Sequence, residues 1–123
     1  VDDALISVRN PATISIDGCV VGITSVDVVK ALSADELSRH SGPPSTREDR
    51  MSRLCRHVLE QHAFMPLHPP PKDLPIDCPL SMAGAGLLPV TPHVLVVPSD
   101  LNKFAKDTRG VVCVNPGRLV KKC

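Results

Sequence analysis

Residues 92–119, PHVLVVPSDLNKFAKDTRGVVCVNPGRL, decide the fold. They read as a buried strand, a short polar loop, a second buried strand and a tight turn. The runs 94–97 and 111–114 are continuously apolar and rich in Val, as expected for interior strands of an α/β sheet covered on both faces. In an α/β enzyme the carboxyl end of such a strand delivers catalytic groups. Here that end carries Pro98-Ser99-Asp100-Leu101, followed shortly by Asn115-Pro116-Gly117 after the second strand. Ser99-Asp100 has the appearance of a nucleophile and its orienting partner, but no G-x-S-x-G elbow surrounds Ser99. Ser-Asp after a strand reads instead as the start of a short helix, with Ser99 as its cap.

Working back from this stretch, residues 87–88 add a further apolar pair, preceded by a small-residue segment at 81–86. Before that, residues 65–79 form a proline-rich crossing, too stiff and too poor in N–H donors for a central strand. Asp73 and Asp77 within it fit turn and cap roles better than an acid/base pair. The longest helix is expected over 46–62, capped by Ser45 with Glu48 three residues on. Met51, Leu54, Cys55, Val58 and Leu59 recur at i, i+3, i+4, i+7 and i+8, which makes one buried stripe. Asp49 with Arg53 and Arg56 with Glu60 are i,i+4 pairs on the remaining surface.

Nearer the start, Thr13-Ile14-Ser15-Ile16 and Cys19-Val20-Val21-Gly22-Ile23 flank Asp17-Gly18, the signal for a two-residue hairpin. Thr24 or Ser25 is placed to cap a helix bearing Val26, Val29 and Leu32. Ser33 with Glu36 reads as a capping box that restarts a helical turn, and residues 41–45 as a loop. Strand, helix, crossing, strand, strand is a largely parallel α/β pattern without internal repeats.

Composition narrows the function classes. The 123 residues can bury one domain's core, and with only Phe64 and Phe104 as aromatics that core is built from Val, Leu, Ile and Ala. The net charge is +1, so nothing steers the chain toward nucleic acid or anionic lipid. There is no apolar run of membrane-spanning length. The Val-Asp-Asp start reads as that of a fragment from a longer chain. The five cysteines (19, 55, 78, 113 and 123) lack paired spacings and read as free thiols rather than a disulfide or zinc set. His57 and His62 lie five apart on the helix and share no face. His40, His68 and His93 stand singly, and no His-x-His or His-Glu-x-x-His occurs, so no metal site is expected. Gly84 and Gly86 form no phosphate-binding loop, and Lys121-Lys122 is only a weak basic end.

The residues support a resemblance. LLPVTPHVLVVPSDLNKFAKDTRGVVCVNPGRLVK, NPATISIDGCVVGITSVDVVKAL, DRMSRLCRHVLEQHAFMPLHPP and DLPID resemble, in order, the C-terminal part of the DNA polymerase B-subunit family, in its alpha type. The resemblance implies that residues 1–123 form the C-terminal portion of a calcineurin-like phosphoesterase fold with an incomplete sheet. Active relatives carry a G-H-x-H metal motif after the penultimate core strand and an N-[SP]-G turn after the next. That turn falls on Asn115-Pro116-Gly117, and the histidine motif on Pro98, Ser99, Asp100 and Leu101. Both histidines are absent, so the resemblance implies a degenerate slot without metal, cofactor or catalysis. It also implies a nuclear, non-catalytic accessory subunit of the polymerase alpha–primase complex, serving the initiation of DNA replication. The implied partners are the C-terminal domain of the polymerase catalytic subunit, the primase subunits and, indirectly, DNA, with no membrane. The alternatives are the corresponding delta or epsilon subunit and an active metal-dependent phosphoesterase. The family's aromatic residues are replaced here by Met65, His68 and Cys78.

Overall fold

The computed structural model describes residues 4–39 and 42–117. Five strands, β1 (Ala12–Ile16), β2 (Cys19–Ile23), β3 (Val94–Val96), β4 (Phe104–Thr108) and β5 (Val111–Asn115), form one open sheet in the order β1-β2-β3-β5-β4. The inner pairs β2/β3 and β3/β5 are parallel, whereas β1/β2 and β4/β5 are antiparallel. The sheet is therefore mixed rather than largely parallel. The two apolar runs at its centre are interior strands, as their composition predicts.

Both hairpins close through two residues with positive φ, Asp17-Gly18 and Arg109-Gly110. That geometry matches the twist of the flanking strands. The first is legible as Asp-Gly. The second creates β4, where sequence reading expects a polar loop beginning with a short helix. Among the described residues no helix follows Ser99. Phe104-Ala105-Lys106-Asp107-Thr108 lacks an apolar run because it is an edge strand, whose composition is set by solvent on one side.

Between β2 and β3 the chain forms α1 (Val28–Asp35) and α2 (Arg50–Glu60). Asp27 caps α1, accepting from the Lys30 amide at 3.0 Å, so neither Thr24 nor Ser25 is the cap. Thr24 Oγ1 instead accepts from the Val26 amide just before the helix. Residues 33–36 restart nothing: α1 runs through Ser33, and Glu36 ends it. Asp49, not Ser45, caps α2 by accepting from the Met51 and Ser52 amides. Pro44–Thr46 is a separate short turn. A carboxylate directly before each helix satisfies its orphan N–H groups and opposes the positive end of its dipole, which displaced the expected hydroxyl caps.

The apolar stripe of α2 is buried as expected through Leu54, Cys55, Val58 and Leu59. With Val28, Val29 and Leu32 of α1 it packs on Leu95, Val97, Val111 and Cys113 of the sheet. Gly22 lies in the same layer. A Cβ there would sit 3.2 Å from Leu95, 3.3 Å from Leu88 and 3.5 Å from Phe64, so its bare backbone lets Phe64 and Leu88 close onto the sheet. Hydrogen bonds from Phe64 N to Gly86 O and from Leu88 N to His62 O tie those two segments together. The crossing contains no strand, and Asp77 caps a single turn at Cys78–Leu80, as its sequence predicts. Among the described residues no helix is long and apolar enough to cross a membrane.

Candidate functional site

The inner parallel strands end together at Pro98-Ser99-Asp100-Leu101 and Asn115-Pro116-Gly117, and there the structure is polar. Asn115 is 1% exposed. Its Oδ1 accepts from the Ser99 amide and from the Gly117 amide, each at 2.9 Å. Its Nδ2 donates to the Leu101 and Asn102 carbonyls, each at 3.2 Å. One side-chain amide thus satisfies four backbone groups and fuses the two strand-end loops. Sequence reading assigns Asn115 only to a turn. The signal for more was an amide at the last position of an apolar strand, directly before Pro-Gly.

Ser99 is buried, and its Oγ accepts from the Leu101 amide at 3.2 Å. That is a local turn contact rather than the exposed hydroxyl of a nucleophile. Asp100 turns toward α1: its amide donates to Asp27 Oδ2 at 2.9 Å, and its carboxylate lies 3.5 Å from Lys30 Nζ. Asp27 therefore uses one oxygen to cap α1 and the other to hold this loop. Beside them a crevice of about 510 Å³ is lined by Asp27, Lys30, Asp35, Pro69, Asp73 and Asp100 among others. No group of three or more His, Cys, Asp or Glu side chains in metal-binding array occurs among the described residues.

Several other titratable residues are engaged away from the strand ends. His57 Nε2 lies 3.4 Å from Glu36 Oε1, and His93 Nδ1 accepts from the Val20 amide at 2.9 Å. His62 and His68 lie in the turn after α2 and in the crossing. Arg53 does not pair with Asp49. It grips Glu36 through Nε at 2.5 Å and Nη2 at 3.0 Å, joining α2 to the end of α1. The Arg53 hydrogen bond holds the Glu36 carboxyl below its ordinary range, and Arg53 itself is shifted upward. Asp49, freed from Arg53, meets Lys106 of β4 at 2.6 Å, and that contact likewise lowers its pKa. The expected Arg56–Glu60 pair is present at 3.1 Å. Cys19 and Cys78 are exposed free thiols, while Cys55 and Cys113 are buried. Hydrogen bonding to Cys113, reinforced by burial, pushes the Cys55 thiol far above its ordinary range. His40, Ser41, Lys121, Lys122 and Cys123 lie outside the described residues.

The strand-end region is thus a closed hydrogen-bonded junction, and comparison with known proteins gives it context. The model of the family described as the DNA polymerase alpha/epsilon B subunit matches residues 2–106. The chain belongs to the DNA polymerase alpha/epsilon B-subunit family. It is 45% identical over 114 residues to the DNA polymerase alpha B subunit of Mus musculus, covering 93% of this chain and 18% of that protein. The Drosophila melanogaster protein of the same name is 34% identical over 114 residues, covering 92% of this chain and 18% of its own length. The Saccharomyces cerevisiae one is 26% identical over 142 residues, with 91% and 20% covered. The chain spans about a fifth of the length of the curated relatives it matches. In this member of the B-subunit family, the matched segment includes the whole helical layer, β1 to β3 and the Ser99–Asp100 loop.

Proposed function

We propose that the chain is the C-terminal part of a non-catalytic accessory subunit of DNA polymerase alpha, built on an inactive calcineurin-like phosphoesterase fold. The observation that carries this reading is the similarity to proteins named as the B subunit of DNA polymerase alpha, which extends over 93% of the chain. The same name recurs from mouse to budding yeast, which favours alpha over the delta and epsilon counterparts.

The strand-end geometry supports the non-catalytic half of the reading. In the proposed fold, Pro98, Ser99, Asp100 and Leu101 occupy the slot of a histidine metal motif and supply one carboxylate, already facing Lys30. Two-metal hydrolysis needs several imidazole and carboxylate ligands to polarise a phosphodiester and activate water. Asn115 fills the space between the loops with backbone hydrogen bonds instead. In this reading the protein acts in the nucleus by tethering. It binds the C-terminal domain of the polymerase catalytic subunit, meets the primase subunits within the complex and reaches DNA only through them.

Affinity capture of the full-length natural protein tests it. The expected result is stoichiometric recovery of the alpha catalytic subunit, and preferential recovery of the delta or epsilon catalytic subunit would refute the assignment. Manganese-dependent phosphodiester cleavage that is abolished by chelation and by a Ser99→Ala/Asp100→Ala double variant would refute the inactive fold.

A further inference from the structure

Two of the cysteines, far apart in sequence, meet in the core. Cys55 and Cys113 are 1% and 0% exposed and belong to the same apolar cluster. The frame around them fixes α2 against the β4/β5 hairpin at both ends. Asp49, the cap of α2, meets Lys106 Nζ at 2.6 Å, and Glu60, its last residue, meets Arg109 Nη2 at 2.7 Å. Cys55 stands midway between those anchors, on the buried stripe of the helix. Cys113 is the central residue of β5 and lies directly opposite Lys106 in the register. The two thiols are in hydrogen-bond contact, with Cys55 donating. Thr108, 3% exposed, adds a hydroxyl to the same spot. Its Oγ1 lies beside the Cys113 sulfur and has no conventional hydrogen-bond partner among the described residues.

We propose that Cys55 and Cys113 form an oxidisable dithiol, which hydrogen peroxide converts to a disulfide that staples α2 to β5. The two thiols differ in readiness. Donation from Cys55 lowers the Cys113 pKa against the opposing effect of burial, whereas Cys55 is held protonated. Cys113 is therefore the nucleophile, since the thiolate is the reactive form. Its sulfur attacks one oxygen of the peroxide, the O–O bond breaks, and the departing hydroxide takes up a proton and leaves as water. The Cys55 sulfur then attacks the sulfur of the Cys113 sulfenic acid. The S–O bond breaks, and the leaving hydroxide takes the Cys55 proton to form a second water. Overall each sulfur loses one electron and the peroxide gains two. The Thr108 hydroxyl finds in the thiolate, and then in the sulfenic oxygen, the acceptor that it otherwise lacks. Because both sulfurs are buried, the pair reacts more slowly than the exposed thiols of Cys19 and Cys78.

The inference is independent of the accessory role. It is tested on the full-length natural chain carrying this sequence, purified reduced, with its exposed thiols alkylated before hydrogen peroxide is added. Peptide mass spectrometry without reductant should find Cys55 and Cys113 joined, two hydrogens lighter than the separate peptides, and dithiothreitol should part them. In Cys55→Ser the cross-link should vanish and dimedone should trap Cys113 as its sulfenic acid. Recovery of both residues as free thiols, while an unalkylated parallel sample loses its Cys19 thiol, would overturn the proposal. So would a bond from Cys113 to any other cysteine, or oxidation of either residue alone to a sulfinic acid in the wild type. A second measurement follows native-state proteolysis within α2, which the staple should slow by about tenfold or more, reversibly on reduction. Cleavage as fast or faster with the disulfide formed would contradict a staple.

Discussion

The two faces of the sheet are made from the same strands and are both apolar, yet they differ in burial. On one face, Gly22, Leu95 and Cys113 stand in register and are buried beneath the helices and the Phe64 and Leu88 segments. On the other, one residue back along each strand, Val21, Val94 and Val112 stand in register, and no helix of the described residues lies over them. A strand's period of two sends neighbours to opposite faces, and the apolar character of each residue is indifferent to which face it takes. Burial here is decided by where the connection between β2 and β3 travels. The strand-end junction adds a third environment, where the organising force is neither burial nor charge but the satisfaction of backbone groups by Asn115.

The comparison is most easily broken at the centre of the covered face. Leu95 is 0% exposed beneath both helices, so Leu95→Ala removes apolar contacts and leaves a cavity. We expect a loss of about 3–4 kcal/mol in urea unfolding. A loss below about 1 kcal/mol would mean that the two faces are not energetically distinct.

Asn115→Ala comes next. It abolishes four hydrogen bonds and strands the Ser99 amide in a buried position, and we expect a cost of about 2–3 kcal/mol. Amide hydrogen exchange should quicken selectively at Ser99 and Gly117. Uniform acceleration across the sheet would show that the junction is not a local device.

Glu36→Gln sharpens the comparison at the outer edge of the helical layer. The Glu36 and Arg53 side chains are 8% and 12% exposed, and the cost should be about 2 kcal/mol at neutral pH. Its pH dependence has a definite sign. The folded carboxyl titrates below its ordinary value of 4.5, so the unfolded chain takes up protons first as pH falls. The contribution is present above that value and lost as pH drops through the folded pKa. Unfolding measured from about pH 7 to about pH 3 should therefore show the wild type converging on Glu36→Gln at the acid end. Parallel curves would contradict the assignment.

The smallest effect belongs to the open face. Within these 123 residues Val112→Thr should change stability by less than about 0.5 kcal/mol, because the side chain is already wet. A larger loss would mean that the face finds cover within this stretch itself.

Much of this was readable in the chain. The Asp17-Gly18 turn, the α2 stripe and the two central strands rest on local signals: positive φ tolerated by Asp-Gly, a 3.6-residue period and continuous Val runs. So did the family, since its motifs are contiguous. The caps of α1 and α2 are not legible because several Ser, Thr and Asp residues stand near each start, and only the folded backbone selects which one reaches the orphan amides. β4 was missed because an edge strand carries no apolar run, and its register depends on β5.

The sequence by itself determined which central segments are strands and which helix stripe is apolar, because those properties are set within a few neighbouring residues. Only the tertiary structure decided that Arg53 grips Glu36, 17 positions away, rather than Asp49, and that Asp27 holds the amide of Asp100, 73 positions away. It alone decided that Asn115 closes the strand ends and that one sheet face lies under helices while the other lies open. Each of these choices is a competition among chemically equivalent partners. Such a competition is settled by distance in the folded chain, which no local pattern encodes.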